Sequence, residues 1–222
     1  EMFLSPIAFF NNTKRLDGKR KMARTQSKDY PEIREKILRS SAKVFASKGF
    51  STSTIIDLAT ACNSSRGALY HYFGSKEEIL SHIISEHVSQ MLSELQTLGE
   101  QKLDAREFLY AVSRKIMELN AVNNAEQIVL LNDWNQLDEK QKAETAAAQR
   151  KIIAIIRDAL IRLDIAHRMT PKYATTHAMS LLGSLNYTYA WYDPEGAVKP
   201  DEYADMVVNV FLDGFLSPAS PG

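Results

Sequence analysis

The chain has 222 residues, 45% of them hydrophobic and 24% charged, with 27 basic and 27 acidic side chains and one cysteine, Cys62. That length and balance describe a soluble globular protein of one large domain, or a small domain beside a larger one. A lone thiol excludes an intrachain disulfide framework and fits a reducing cytoplasm. The zero net charge conceals a division: residues 1–82 hold 14 Lys and Arg against 8 Asp and Glu, and residues 83–222 hold 13 against 19. This is the asymmetry of a chain in which only one module meets phosphates.

The apolar opening Met2-Phe3-Leu4-Ser5-Pro6-Ile7 has no positive segment before it and is interrupted by Pro6, so it does not read as a secretion signal. Lys14, Arg15, Lys19, Arg20, Lys21, Arg24 and Lys28 follow with little apolar periodicity. Residues 1–29 are therefore expected to form a flexible basic arm, either a solvated tail or a segment reaching phosphates or a minor groove. Met22-Ala23-Arg24-Thr25 resembles a start, which makes residues 1–21 an upstream extension or a mis-assigned beginning. No stretch approaches the roughly 20 apolar residues of a membrane span.

From Pro31 the spacing turns helical. Ile33, Ile37, Val44 and Phe45 share a face, Pro31 suits an early helical position, and Gly49 suits a stop. Short helices are predicted at Ile55–Ala61 and Ser65–Tyr72, joined by the turn Cys62-Asn63-Ser64, with Gly74 ending the second. Ser75 and Glu78 have capping-box spacing, so a long helix starts there and runs through Ile79, Ile83, Ile84, Val88, Met91, Leu92 and Leu95 towards Gly99. Further helices are predicted at about 102–121, 124–135, 138–164, 172–192 and 200–216, with no β-type alternation and no internal repeat. The expected fold is all-α with about nine helices: the arm, a three-helix helix-turn-helix domain over 30–76, and a helical effector-binding and dimerisation domain over 77–222.

Residues 53–76 meet the demands of a helix-turn-helix, whose second helix enters the major groove braced by the first. Ile55, Leu58, Ala59 and Cys62 form an inner apolar face, Leu69 answers it, and Ile37, Val44 and Phe45 close the core. Asn63 is the non-glycine residue best suited to the positive φ such a turn needs. Ser64, Ser65, Arg66 and Gly67 put short polar groups at the start of the groove-facing helix, while Tyr70, His71 and Tyr72 project further along. Thr52, Ser53, Thr54 and Lys76 stand at helix starts, where free N–H groups favour phosphates.

Gly49-Phe50, Ser53-Thr54-Ile55-x-Asp57-Leu58-Ala59-x-Ala61 and Ser65-Arg66-Gly67-Ala68-Leu69-Tyr70-His71-Tyr72-Phe73-x-Ser75-Lys76 closely resemble the N-terminal domain of the TetR family of transcriptional regulators, over about residues 33–80. The resemblance implies a homodimeric repressor that sets one such helix per subunit in successive major grooves of a palindromic double-stranded operator. It implies base contacts at Ser65, Arg66, Gly67 and Tyr70 or His71, and phosphate contacts at Thr54, Tyr72 and Lys76. Two positions depart from the family pattern. Asn63-Ser64 stands where Gly-Val is common, which removes an apolar plug and leaves Ser64 to cap the helix or touch DNA. Arg66 stands where lysine is common and can read guanine bidentately.

The same family dimerises through its last two long helices and encloses a ligand. The resemblance puts the small residues Ala174, Ala178 and Gly183 at a subunit interface, with ordinary intrachain core as the alternative, alongside Tyr203, Met206, Val207, Val210, Phe211 and Phe215. Leu182-Gly183-x-x-Asn186-Tyr187-x-x-x-Trp191-Tyr192-x-Pro194-x-Gly196 is similar to a segment of TetR-type regulators of fatty-acid and aromatic-acid degradation, many of which respond to acyl-CoA thioesters. It implies an acyl-CoA or aroyl-CoA effector held by Phe108, Arg114, Met117, Leu131, Trp134, Met179, Asn186, Tyr187 and Trp191, with Arg106, Arg150 and Lys151 as further cations for its phosphates. The alternatives are a free hydrophobic or aromatic effector, or a protein partner. A closed apolar cavity of several hundred cubic ångströms between helices 75–98, 102–121, 138–164 and 172–192 is the mark of an effector, a solid core with an exposed groove that of a partner. Catalysis, metal and cofactor find no motif. His82 and His87 are five apart, off the i,i+4 register of a ligand pair, and His167 and His177 have no residue at metal spacing. The reading is a non-enzymatic cytoplasmic repressor.

Overall fold

The computed structural model describes residues 29–164 and 171–216; the expected basic arm, apart from Asp29, and His167 lie outside the described residues. Nine α-helices are present among the described residues: α1 (Tyr30–Lys48), α2 (Ile55–Ala61), α3 (Arg66–Tyr72), α4 (Lys76–Gly99), α5 (Ala105–Val122), α6 (Asn124–Asp133), α7 (Glu139–Leu163), α8 (Pro171–Asn186) and α9 (Pro200–Leu216). Single 3-10 turns follow α6 at Trp134–Gln136 and α8 at Tyr187–Ala190, so the predicted helices 124–135 and 172–192 are shorter than their apolar patterns.

Local chemistry sets the boundaries. Gly49 ends α1 with φ 81°, its N–H donating to the Phe45 carbonyl. Reciprocal capping boxes open α2 (Thr54 with Asp57), α5 (Asp104 with Glu107) and α7 (Asp138 with Gln141). The box predicted for α4 is half made. The Ser75 side chain accepts from the Glu78 N–H, but the Glu78 carboxylate accepts from Gly74 N at 2.6 Å, one residue further back. Asn63 has φ 51°, the one non-glycine residue with positive φ among the described residues. Asn63 N donates to Thr60 O and Ser64 N to Ala59 O, the paired bonds of a Schellman stop at the end of α2. Ser64 therefore closes α2, and Ser65 caps α3 by accepting from Ala68 N at 3.1 Å.

Helices α1, α2 and α3 pack as a small bundle around Ile37, Phe45, Leu58, Ala59, Cys62 and Leu69, all buried, while Ile33 lies exposed at the start of α1. Helix α1 also rests on α4 and α6. Behind them α4, α5 and α7 form the centre of the larger part, with α8 against α7 and α9 against α5. Ala174 and Ala178 are buried within the chain's own core, at 1% and 0% exposure, so the intrachain alternative holds for both. The outward side of α8 and α9 instead exposes Met179, Gly183, Met206 and Val210, with Tyr187 exposed in the turn just after α8.

Candidate nucleic-acid interface and effector cavity

The outward face of α3 carries Arg66, Gly67, Tyr70 and His71, all exposed, preceded by exposed Ser64 and Ser65. The Arg66 guanidinium lies over the Tyr70 ring at 5.6 Å, so the two longest side chains of this face form one unit. Tyr72 is half-buried and stacks on Tyr30 at 4.7 Å, with Tyr30 also edge-on to His71 at 6.5 Å. Tyr30, outside the recognisable motif, thus props the end of α3.

The hydroxyls expected to greet phosphates are committed elsewhere. Ser53 is 3% exposed and donates to the Gly49 carbonyl at 2.7 Å, and the exposed Thr52 donates to the Lys48 carbonyl. Both tie down the C-terminal end of α1, and burial removes Ser53 from any surface. Thr54 is exposed, yet its hydroxyl donates to Asp57 and accepts from the Asp57 N–H. Asp57 also pairs with Lys48 at 2.6 Å, and these hydrogen bonds hold its carboxyl far below the ordinary carboxylate range. Lys76 is half-buried; its ammonium donates to the carbonyls of Phe50 at 2.8 Å and Ser53 at 2.9 Å and sits 4.1 Å from the Phe50 ring centre. It fastens α4 to the loop before α2. The positive charge is also redistributed: residues 29–82 hold seven basic and six acidic side chains, and residues 1–28 hold seven against two. The basic surplus therefore belongs to residues 1–28.

A cavity of about 230 Å³ lies among α4, α5, α6, α7 and α8. Val88, Met91, Ile116, Leu130, Ile152 and Leu182 form its apolar wall, and exposed Leu131 and Met179 stand at its rim. Its polar groups are His87, Gln127, Gln149 and Asn186, and none of the side chains lining it is Lys, Arg, Asp or Glu. His87 Nε2–H donates to Gln127 Oε1 at 2.8 Å, and burial pushes the His87 pKa down, keeping the ring neutral. The cavity has the expected position, with α6 as an added wall, but it is smaller than several hundred cubic ångströms and open at its rim.

Of the nine predicted ligand contacts, the cavity brings together Leu131, Met179 and Asn186. The other six lie elsewhere. Phe108 is buried beneath the Arg162 guanidinium at 5.2 Å, and Met117 is fully buried one position round α5 from the wall residue Ile116. Arg114 faces α9, with two guanidinium nitrogens each 2.6 Å from a carboxylate oxygen of Asp205. Trp134 packs half-buried in the turn after α6. Tyr187 and Trp191 leave the helical register because α8 ends at Asn186, and both are exposed, Trp191 edge-on to Tyr203 at 5.3 Å. Arg106, Arg150 and Lys151 are exposed and do not line the cavity. His87 and Gln127 were not foreseen as ligand contacts, although their spacing was visible: His87 stands four residues from both Ile83 and Met91, and Gln127 four before Leu131.

Residues 37–83 match the family of bacterial regulatory proteins, tetR family, and residues 102–215 match the tetracyclin repressor-like C-terminal domain. A TetR-family transcriptional regulator from Bordetella parapertussis superposes with a TM-score of 0.79 at 33% identity, covering 85% of this chain and 98% of that one. The chain belongs to the TetR family.

TetR-type transcriptional repressors are DNA-binding regulators, which supports a non-enzymatic role for this chain. Among named TetR repressors, KstR2 of Rhodococcus jostii is 25% identical over 194 residues, 83% of this chain and 92% of the relative. AibR, solved in complex with isovaleryl coenzyme A and operator DNA, shares the TetR fold with a TM-score of 0.70 at 23% identity, over 80% of this chain and 97% of AibR. Among the described residues no helix is long and apolar enough to cross a membrane.

Proposed function

We propose that this TetR protein is a cytoplasmic homodimeric repressor that sets α3 of each subunit in successive major grooves of a palindromic operator. It lets go when an acyl-CoA or aroyl-CoA thioester fills the cavity with its acyl end. Ser64, Ser65, Arg66, Gly67, Tyr70 and His71 are the reading residues, and residues 30–76 are the reading head on a body of residues 77–222. The dimer forms through the exposed side of α8 and α9, where Met206 and Val210 stand clear of the chain's own core.

The observation that carries the reading is that two of the five helices walling the cavity, α4 and α6, also hold the head. Helix α6 lines the cavity with Gln127, Leu130 and Leu131, and six residues after Gln127 its Asp133 accepts from the Phe50 N–H of the head at 3.4 Å. Helix α4 lines the cavity with His87, Val88 and Met91 and begins at Lys76, which grips the head's Phe50 and Ser53 carbonyls. An occupant that spreads α4 from α6 therefore moves α3, and the spacing of two such helices must match the roughly 34–36 Å between successive major-groove faces. The AibR complex shows that a protein of this fold can hold both an acyl-CoA and operator DNA. A cavity among five helices, although smaller and more open than the closed chamber that marks an effector, favours an effector over the solid core with an exposed groove that marks a protein partner.

Fluorescence anisotropy on fragments from the gene's own upstream region tests the reading. Binding as a dimer, weakening steeply with salt and reversed by an acyl-CoA or aroyl-CoA, is the expected result. No binding to any intergenic fragment near the locus, or release by free hydrophobic drugs alone, refutes it.

A further inference from the structure

We propose that the effector offers the cavity an uncharged carbonyl oxygen, received by the side-chain amides of Gln127 and Asn186, on an apolar group of about six to nine heavy atoms. The same skeleton ending in an ionised carboxylate is refused. This rests on the reading above that the cavity is the effector site.

The cavity presents hydrogen-bond donors without a cation. Gln127 is 2% exposed, and its carbonyl oxygen lies 2.8 Å from His87 Nε2, which donates to it in the Nε2–H tautomer. Its NH2 group has no protein acceptor among the described residues, and this is the cavity it lines. Asn186 repeats the arrangement: its Oδ1 accepts from Asn120 Nδ2 at 3.2 Å, leaving its NH2 group for the cavity. Each amide has two N–H donors, and neither nitrogen is among the buried side-chain atoms left without a partner, so both are open to the cavity, where the natural complement is an acceptor on the ligand. A carboxylate would also accept, but its charge would enter an apolar chamber with no Lys or Arg on the wall and a neutral His87, where an unpaired ion is strongly disfavoured. Size narrows the class. A cavity of about 150 Å³ holds benzene; in proportion, 230 Å³ holds about nine heavy atoms. That suits the acyl end of a short thioester or a single ring with a short carbonyl arm, with any larger appendage outside the rim.

Calorimetric titration of the full chain at pH 8 with hexanoyl-CoA, methyl hexanoate and sodium hexanoate tests this. Both neutral carbonyl compounds should bind, and hexanoate should bind at least about 100-fold more weakly than methyl hexanoate. Gln127→Leu should weaken methyl hexanoate about tenfold while leaving binding of the carbonyl-free probe heptane unchanged or tighter. Gln127→Met is the second variant should the first fail to fold. Hexanoate binding as tightly as methyl hexanoate overturns the inference, as does unchanged affinity for methyl hexanoate in a folded Gln127 variant. If methyl hexanoate behaves as stated while hexanoyl-CoA neither binds nor releases DNA, the carbonyl inference stands and the CoA reading falls.

Discussion

Replacing Lys76 with methionine distinguishes a phosphate contact from a structural clasp. The ammonium donates to two backbone carbonyls at 2.8 and 2.9 Å and lies 4.1 Å from the Phe50 ring centre. A hydrogen bond from a charged group contributes about 1.5–3 kcal/mol, and a partly exposed cation–π contact about 0.5–1 kcal/mol. The terms share one ammonium, the freed carbonyls regain water, and methionine retains the packed stem, so the net loss should be about 2 kcal/mol. With an m-value of about 2 kcal/mol/M, the urea midpoint should fall by about 1 M, at fixed protein concentration because dimerisation contributes to stability.

The same variant titrated against operator DNA at several salt concentrations supplies the second readout. Loss of a clasp lowers affinity at every salt concentration and leaves the slope of log K against log[salt] unchanged. Loss of one phosphate contact per subunit lowers that slope by about 1.8 for a dimer, at roughly 0.9 per phosphate. A reduced slope with an unmoved urea midpoint would refute the clasp and restore the expectation drawn from sequence.

Tyr70→Ala should abolish specific DNA binding while the circular dichroism spectrum and assembly mass stay unchanged, because Tyr70 is 45% exposed and its ring packs on Arg66 of its own helix; loss of helicity would refute that assignment. Asn63→Val should cost about 1–2 kcal/mol in thermal melts, since a β-branched residue resists φ 51°, whereas Asn63→Gly should not, and equal stability of the two would overturn the account of the turn. Removing residues 1–28 takes away seven of the 14 basic residues of 1–82 and should reduce the salt slope of DNA binding by several units; an unchanged slope means these residues do not meet phosphate. Val210→Asp, at a side chain 70% exposed on α9, should give folded monomers in sedimentation, and a persistent dimer would exclude that face as the interface.

The reading head was legible because its signals are local. Ser65, Gly49 and Asn63 act on neighbours within five residues, and each stops or starts its element as its side chain or φ requires. The head's charged contacts were not legible in the same way. Lys76 meets Phe50 and Ser53 across 26 and 23 residues, and Phe50 meets Asp133 across 83, so motif position alone made Lys76 a phosphate ligand. The cavity failed for a related reason. Apolar and aromatic character marks burial, but one step along α5 turns Ile116 towards the cavity and Met117 into solid core. The better signal was a polar residue inside an apolar stripe, as at His87 and Gln127, because such a residue must find a partner inside the fold.

On the proposed mechanism, magnitudes allow so small a chamber to govern the head. A hundredfold release of DNA requires a ligand to favour the released arrangement by about 2.7 kcal/mol. One neutral hydrogen bond contributes about 1 kcal/mol and each buried methylene about 0.8 kcal/mol. The Gln127 contact and two methylenes, made in one arrangement of α4 and α6 and absent from the other, are therefore sufficient. The path to the head is short. His87 lines the effector cavity on one side and, on the other, a crevice bounded by Glu35, Leu38 and Arg39 of α1. Its bond to Gln127 is thus a partition between the cavity and the underside of α1. On the proposed mechanism, movement of α6 against α4 would strain that partition and reach α1, which rests on both. A ligand that filled the cavity equally well in both arrangements would bind tightly and release nothing, so affinity for the chamber and release of the operator are separable properties of any candidate effector.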